Sequence, residues 1–157
     1  MSENNPDAKP PLAPVIYGLQ GLTFTQEEGA FFHAARPWGV ILFARNIESR
    51  EQVRALTDTL REMSGNANLP IFIDQEGGRV ARLKPPLVPA YPPMGAYGEI
   101  YQSDKARAIE AARLGAALLA QDLHHLGIPI TCAPCLDFAL PEHSDVIGDR
   151  AFGDDVE

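Results

Sequence analysis

The sequence predicts an α/β fold built on a parallel sheet, and three features point to it. Four short apolar runs are separated by helix-patterned segments. The clearest run, Gly39-Val-Ile-Leu-Phe43, is continuous rather than alternating, as expected for a strand covered on both faces. The helical segments supply the right-handed crossovers that parallel strands require.

Each element has its own signal. Val15 to Leu19 is an apolar run behind prolines and reads as the first strand. Thr25-Gln-Glu-Glu28 is a capping box, opening a helix that runs to about Arg36 and stops before Pro37. Gly39 to Phe43 is the second strand. Ser49-Arg-Glu-Gln52 is a second capping box. Val53, Leu56, Leu60 and Met63 follow at helical spacing, so residues 50–64 form an amphipathic helix that Gly65-Asn66 ends. Pro70 to Asp74 is the third strand. A long loop follows, with prolines at 85, 86, 89, 92 and 93. Ser103 or Asp104 caps an Ala/Leu-rich helix over 105–126, Gly127 closes it, and Ile128 to Ala133 is the fourth strand. Residues 1–14 are polar and proline-rich and are expected to be a disordered tail.

Two architectures accommodate this order, an open doubly wound sheet and a (β/α)₈ barrel. Gly18-Leu-Gln-Gly21 is not the G-x-G-x-x-G fingerprint, which weakens the nucleotide-binding version of the open sheet. Four strands in 157 residues is about half of a barrel, which takes roughly 250 residues. The sequence closes with no helix after the fourth strand, and a truncated chain is the expectation.

Composition narrows the function. A net charge of −8 repels phosphate backbones and anionic lipid, so neither nucleic acid nor a membrane surface is an expected partner. No apolar run approaches the ~18 residues of a membrane span. Two cysteines, Cys132 and Cys135, are too few for a secreted disulfide scaffold, and the N-terminus lacks a signal-peptide pattern; the expected setting is the reducing cytoplasm. The C-x-x-C pair straddles a strand end and has no second pair for zinc, so buried inert thiols are expected. His33, His124 and His125 lie on predicted helices without metal spacing.

The densest cluster of chemistry is Asp74-Gln-Glu-Gly-Gly-Arg-Val-Ala-Arg82, at the C-terminal end of the third strand, where α/β folds bind ligands. Ile71 and Ile73 point to one face, Phe72 and Asp74 to the other. Two glycines allow close backbone approach, and two arginines offer forked donors to hydroxyls or carboxylates. The same residues also suit an ordinary Asp-Gly-Gly turn with an Arg79–Glu76 ion pair. A second cluster, His143 to Asp154, follows the fourth strand; there Arg150 could bind sugar hydroxyls or order the loop by an ion pair. Asp137 could face a ligand or cap a turn. No nucleophile elbow, P-loop or metal cluster occurs, and no convincing pair of catalytic carboxylates can be assigned.

The segment Ile73-Asp-Gln-Glu-Gly-Gly-Arg-Val80, with Arg82 beyond it, closely resembles the signature of family 3 glycoside hydrolases, especially the bacterial β-N-acetylhexosaminidase branch that recycles peptidoglycan fragments. Gly39 to Asn46, Ala133 to Asp137 and Ile147 to Gly153 resemble other blocks of the family in the same order, so the similarity spans about residues 13–155. The resemblance implies the N-terminal half of a TIM (β/α)₈ barrel, here over residues 15–157. It implies a retaining glycosidase that removes terminal N-acetylglucosamine from muropeptides through a covalent intermediate, with no cofactor. Asp74, Arg82 and Arg150 correspond to its substrate-binding residues. The family's Lys-His sugar-binding pair, its His acid/base and its aspartate nucleophile all lie downstream of the Arg150 loop and outside residues 1–157, so no catalytic residue is assigned, His143 and Asp149 included. The expectation is a chain without hydrolytic activity of its own, whose open sheet edges favour self-association. The alternative is a non-catalytic or vestigial sugar-binding fragment.

Overall fold

The computed structural model describes residues 11–140 and 145–154. Four parallel strands lie side by side in chain order: β1 (Ala13–Gly18), β2 (Pro37–Leu42), β3 (Ile71–Ile73) and, after the short antiparallel hairpin β4 (Gln75–Gly77) and β5 (Val80–Ala81), β6 (Ile130–Thr131). A doubly wound sheet reverses its strand order at a switch point; this sheet has no reversal among the described residues, and it matches the first half of a barrel.

The helices cover one face only. Val40 pairs with Ile71 and Leu42 with Ile73, and all four are fully buried. They pack against Val53, Leu56 and Leu60 of α2 (Arg50–Ser64) and Leu119 and Leu123 of α4 (Lys105–His125). Each such aliphatic side chain contributes at most about 1.5–3 kcal/mol through its removal from water. The opposite face carries Ile16 beside Gly39 and the row Ile41, Phe72, Ile130. Ile16 is 42% exposed and the row is half-buried, so this apolar face is open.

Several boundaries are set by local chemistry. Thr25 caps α1 (Gln26–Ala35) with the full reciprocal box: the Glu28 amide donates to Thr25 Oγ1 and the Thr25 amide donates to the Glu28 carboxylate. Arg36 ends α1 in a left-handed conformation, φ 48°, because Pro37 disfavours the α region for the residue before it. β2 then starts at Pro37 itself, two residues earlier than the apolar run indicated; a first strand position suits a residue without an N–H. At Ser49 only half of the expected box forms. The Gln52 amide donates to Ser49 Oγ, but the Gln52 side chain accepts from the Glu48 amide and donates to Leu22 and Asn46 carbonyls instead. Asp104, not Ser103, caps α4, accepting from the Arg107 amide.

Three sequence expectations need correction. The tail assigned to 1–14 includes Ala13 and Pro14, which belong to β1; residues 1–10 lie outside the described residues. The fourth strand is shorter than 128–133, spanning only Ile130–Thr131, although Ile128 is buried in the core. The proline-rich loop ends in an unforeseen helix, α3 (Met94–Ser103), whose sequence Met-Gly-Ala-Tyr-Gly-Glu-Ile-Tyr-Gln-Ser has two glycines and no side-chain N-cap. Tertiary packing outweighs that weak propensity. Tyr97 is buried and its hydroxyl lies where a side chain at Gly115 of α4 would go.

Candidate functional site

The site grows from the end of β3. Asp74 follows Ile73 on the open face, and its Oδ2 lies 2.8 Å from Arg82 Nη2. The side chains are 23% and 30% exposed, so the pair sits at the mouth of the sheet rather than beneath it. Eight residues of chain must fold back to bring them together, and Gln75 makes that happen. Its side chain is buried; Oε1 accepts from the Arg82 and Leu83 amides, both at 2.9 Å, and Nε2 donates to the Leu83 carbonyl at 3.0 Å. The return turn needs glycine at two places. Gly77 has φ 111° and Gly78 φ 54°, and the Tyr91-Pro92-Pro93 backbone and ring lie where side chains would project. The Gly78 amide donates to the Tyr91 carbonyl at 2.8 Å, fastening the proline loop to the turn. That loop is anchored in turn by Tyr91, whose hydroxyl donates to Asp122 of α4 at 2.7 Å. Burial, then this bond, pushes the Tyr91 phenol up to about 12.

The hairpin also gathers the loop after β6. Arg150 makes a bidentate pair with Glu76, Nε to Oε2 at 2.9 Å and Nη2 to Oε1 at 2.8 Å, with the Glu76 side chain 6% exposed. This pair holds the Arg150 guanidinium above the usual arginine range. Arg79 does not pair with Glu76. Its Nε donates to Asp149 Oδ1 at 2.9 Å, and its Nη2 lies 2.5–3.0 Å from the carbonyls of Asp145, Val146 and Ile147. The loop rests on α3, where Gly95 and Gly98 leave room for the Asp149, Ala151 and Phe152 backbone.

The structure therefore brings Asp74 and Arg82 into contact and sets Arg150 on the same hairpin through Glu76. Three carboxylates of the cluster are each matched to a guanidinium: Asp74 to Arg82, Glu76 to Arg150, Asp149 to Arg79. Among the described residues, Arg82 Nε is a buried donor with no acceptor. Cys132, exposed rather than buried as expected, borders the cluster; partial desolvation of its thiol, followed by the neighbouring Asp74 carboxylate, raises it. Cys135 is buried, with Sγ 3.5 Å from exposed Asp137. His33 lies on α1, and His124 and His125 lie exposed in the last turn of α4. His143 lies outside the described residues. A cavity of about 360 Å³ between α1 and α2, bordered by Leu12, Phe24, Phe32, Arg36 and Met63, opens at the other end of the strands, away from Asp74. Sequence reasoning missed the organising roles of Gln75 and Glu76. The available signal was an amide and a carboxylate set directly after a fully apolar strand, where buried polar groups must be hydrogen-bonded.

Residues 19–157 match the model of the glycosyl hydrolase family 3 N-terminal domain. The chain belongs to glycosyl hydrolase family 3. Beta-hexosaminidases of Thioalkalivibrio sulfidiphilus and Bordetella avium are 40% and 36% identical to it over 143 and 152 residues. Those alignments cover 90% and 97% of this chain but 40% and 43% of the relatives, so the chain spans about two-fifths of their length. Among solved structures, NagZ from Neisseria gonorrhoeae superimposes with a TM-score of 0.84 at 32% identity, over 91% of this chain and 42% of that one. A family 3 beta-N-acetylglucosaminidase from Paenibacillus gives a TM-score of 0.74 at 32% identity, over 88% and 26%. The strand-mouth cluster thus sits in a family 3 N-terminal domain with the α/β architecture the sequence predicted.

Proposed function

We propose that this chain is the saccharide-gripping half of a β-N-acetylhexosaminidase that releases terminal N-acetylglucosamine from peptidoglycan-derived muropeptides with retention, in the cytoplasm. The observation that carries the reading is the Asp74–Arg82 pair at the strand mouth. A carboxylate accepts hydrogen bonds from sugar hydroxyls and a guanidinium donates to them, so the pair offers both complements to a hydroxylated ring. Arg150 supplies a second guanidinium from the neighbouring loop. A NagZ relative has been solved with N-trifluoroacetyl-D-glucosamine, which supports a hexosamine as the ligand class.

Binding and hydrolysis separate on this chain. A retaining glycosidase needs one free carboxylate as nucleophile and a second group as acid/base, with the two carboxyls about 5 Å apart. Asp74, Glu76 and Asp149 are each neutralised by an arginine, which suits orientation rather than attack. The 157-residue chain is therefore expected to bind N-acetylglucosamine without turning over its aryl β-glycoside. Saturation-transfer NMR with N-acetylglucosamine, run beside a chromogenic assay with the aryl glycoside, tests both parts. Saturation transfer that Asp74→Ala removes, with no aryl release, is the expected result. No transfer to the wild-type chain overturns the grip; turnover that depends on Asp74 overturns the inactivity.

A further inference from the structure

The hairpin that presents Asp74 and Arg82 also controls how Arg150 faces the site. Resting on the saccharide reading above, we propose that Glu76 is a positioning residue: it holds Arg150 through Nε and Nη2, leaving the Nη1 edge to a sugar oxygen, while Arg79 fixes the loop that carries Arg150. An unrestrained arginine has rotamer entropy to lose on gripping a ligand. In this chain that freedom is already removed by two parallel hydrogen bonds to one carboxylate. The restraint is strong because Glu76 is buried: its side chain is 6% exposed, and swinging Arg150 away would strand a carboxylate in a dry setting. Among the described residues, Nη1 meets the Val146 carbonyl at 3.4 Å, beyond ideal hydrogen-bond length.

Arg79 restrains the other end of the loop. One guanidinium meets the carbonyls of three consecutive residues and the Asp149 carboxylate. Gly148, at φ 44°, lets the chain curl around it, and a side chain there would start only 3.6 Å from Arg79 Nη2. The two hairpin side chains thus bracket residues 145–150, one gripping backbone and the other gripping the functional guanidinium. Both come from the same short turn as Arg82, so one rigid element sets the relative placement of all the arginines proposed to meet the sugar.

The test uses the 157-residue chain and N-acetylglucosamine as the probe. In the wild type, the Arg150 Nε–H resonance should exchange with water at least about tenfold more slowly than that of Arg54, whose pair with Asp58 is exposed. Glu76→Gln, which keeps shape and removes the charge, should release that protection and weaken sugar binding about tenfold or more. Combined with Arg150→Ala it should weaken binding no further than Arg150→Ala alone, because the two residues act as one unit. Glu76→Asp, which retains the charge on a shorter arm, should recover part of the affinity. A purely structural Glu76 would instead lower the melting temperature and leave the folded variant's affinity unchanged, which overturns the proposal. So does an Arg150 Nε–H that exchanges as fast as that of Arg54, a result that stands even if the Glu76→Gln chain does not fold. A protected Nε–H in a wild type that binds no sugar upholds the positioning and overturns only the saccharide reading.

Discussion

Gln75→Leu is the substitution that most cleanly separates the hairpin's hydrogen bonding from its packing. Leucine fills a similar volume, so no large cavity opens, but three polar groups lose their partner: the Arg82 amide, the Leu83 amide and the Leu83 carbonyl. All three partners of the amide side chain lie at 2.9–3.0 Å, and Gln75 and Leu83 are 2% and 1% exposed, so water does not replace it without rearrangement. A stranded buried donor or acceptor costs ~1–3 kcal/mol, giving a range of ~3–9 kcal/mol. The return arm of the hairpin can lift toward solvent and relieve part of this, which places the expected loss near ~3–4 kcal/mol. That is a large share of the roughly 5–15 kcal/mol by which domains are stable. Urea denaturation of the wild-type and variant chains measures it. The same lift carries Arg82 away from Asp74, so the Arg82 side-chain resonances should move and N-acetylglucosamine affinity should fall with stability. A loss below ~1 kcal/mol, or an Arg82 signal that stays in place, would refute the role given to Gln75.

Other outcomes follow from the same geometry. Gly98→Ala should lift the loop off α3, because its new methyl would collide with the Phe152 carbonyl; a destabilisation of ~1–3 kcal/mol and shifted Arg150 resonances are expected from urea melts and NMR. Tyr91 has a phenol raised from 10.0 to about 12, which favours the neutral form in the folded chain. Its contribution to stability is therefore complete below pH 10.0 and is lost as pH rises through about 12, and Tyr91→Phe should flatten the fall in urea midpoint over that alkaline window. The outer edges of β1 and β6 carry no strand partner among the described residues, and the sheet face bearing Ile16 is open. Light scattering should accordingly show association that grows with concentration, and a clean monomer across the range would contradict it.

How much of this was readable from sequence differs by element. The four strands and three of the helices announced themselves because their signals are local: continuous apolar runs, the Thr25 box, the Val53-Leu56-Leu60 stripe and the Gly65 and Gly127 stops. The hydrophobic stripe identified Val53, Leu56 and Leu60 as the buried side of α2, whereas Met63, read as part of the same stripe, is 61% exposed near the helix end. Helix α3 was illegible because its stability lies elsewhere in the chain, in Tyr97 against Gly115 and in the loop seated on Gly95 and Gly98. The Asp74 cluster could be located from its position after an apolar strand, and Arg82 eight residues later was a reasonable companion. The pairing of the remaining charges was not legible. Arg79 stands three residues from Glu76, an inviting local pair, yet it reaches Asp149 while Arg150 takes Glu76. The turn at Gly77-Gly78 sends the two side chains in different directions, and only the folded hairpin shows which distant partner each one meets.

Where a sugar touches this chain decides whether the Asp74–Arg82 pair is its grip. Amide and arginine side-chain resonances of the 157-residue chain, followed while N-acetylglucosamine is added, test it most directly. Shifts gathered at Asp74, Arg82 and Arg150, fading when Asp74 is replaced by asparagine, are predicted. Shifts confined to the cavity between α1 and α2, or a spectrum that the sugar leaves unchanged, would contradict it.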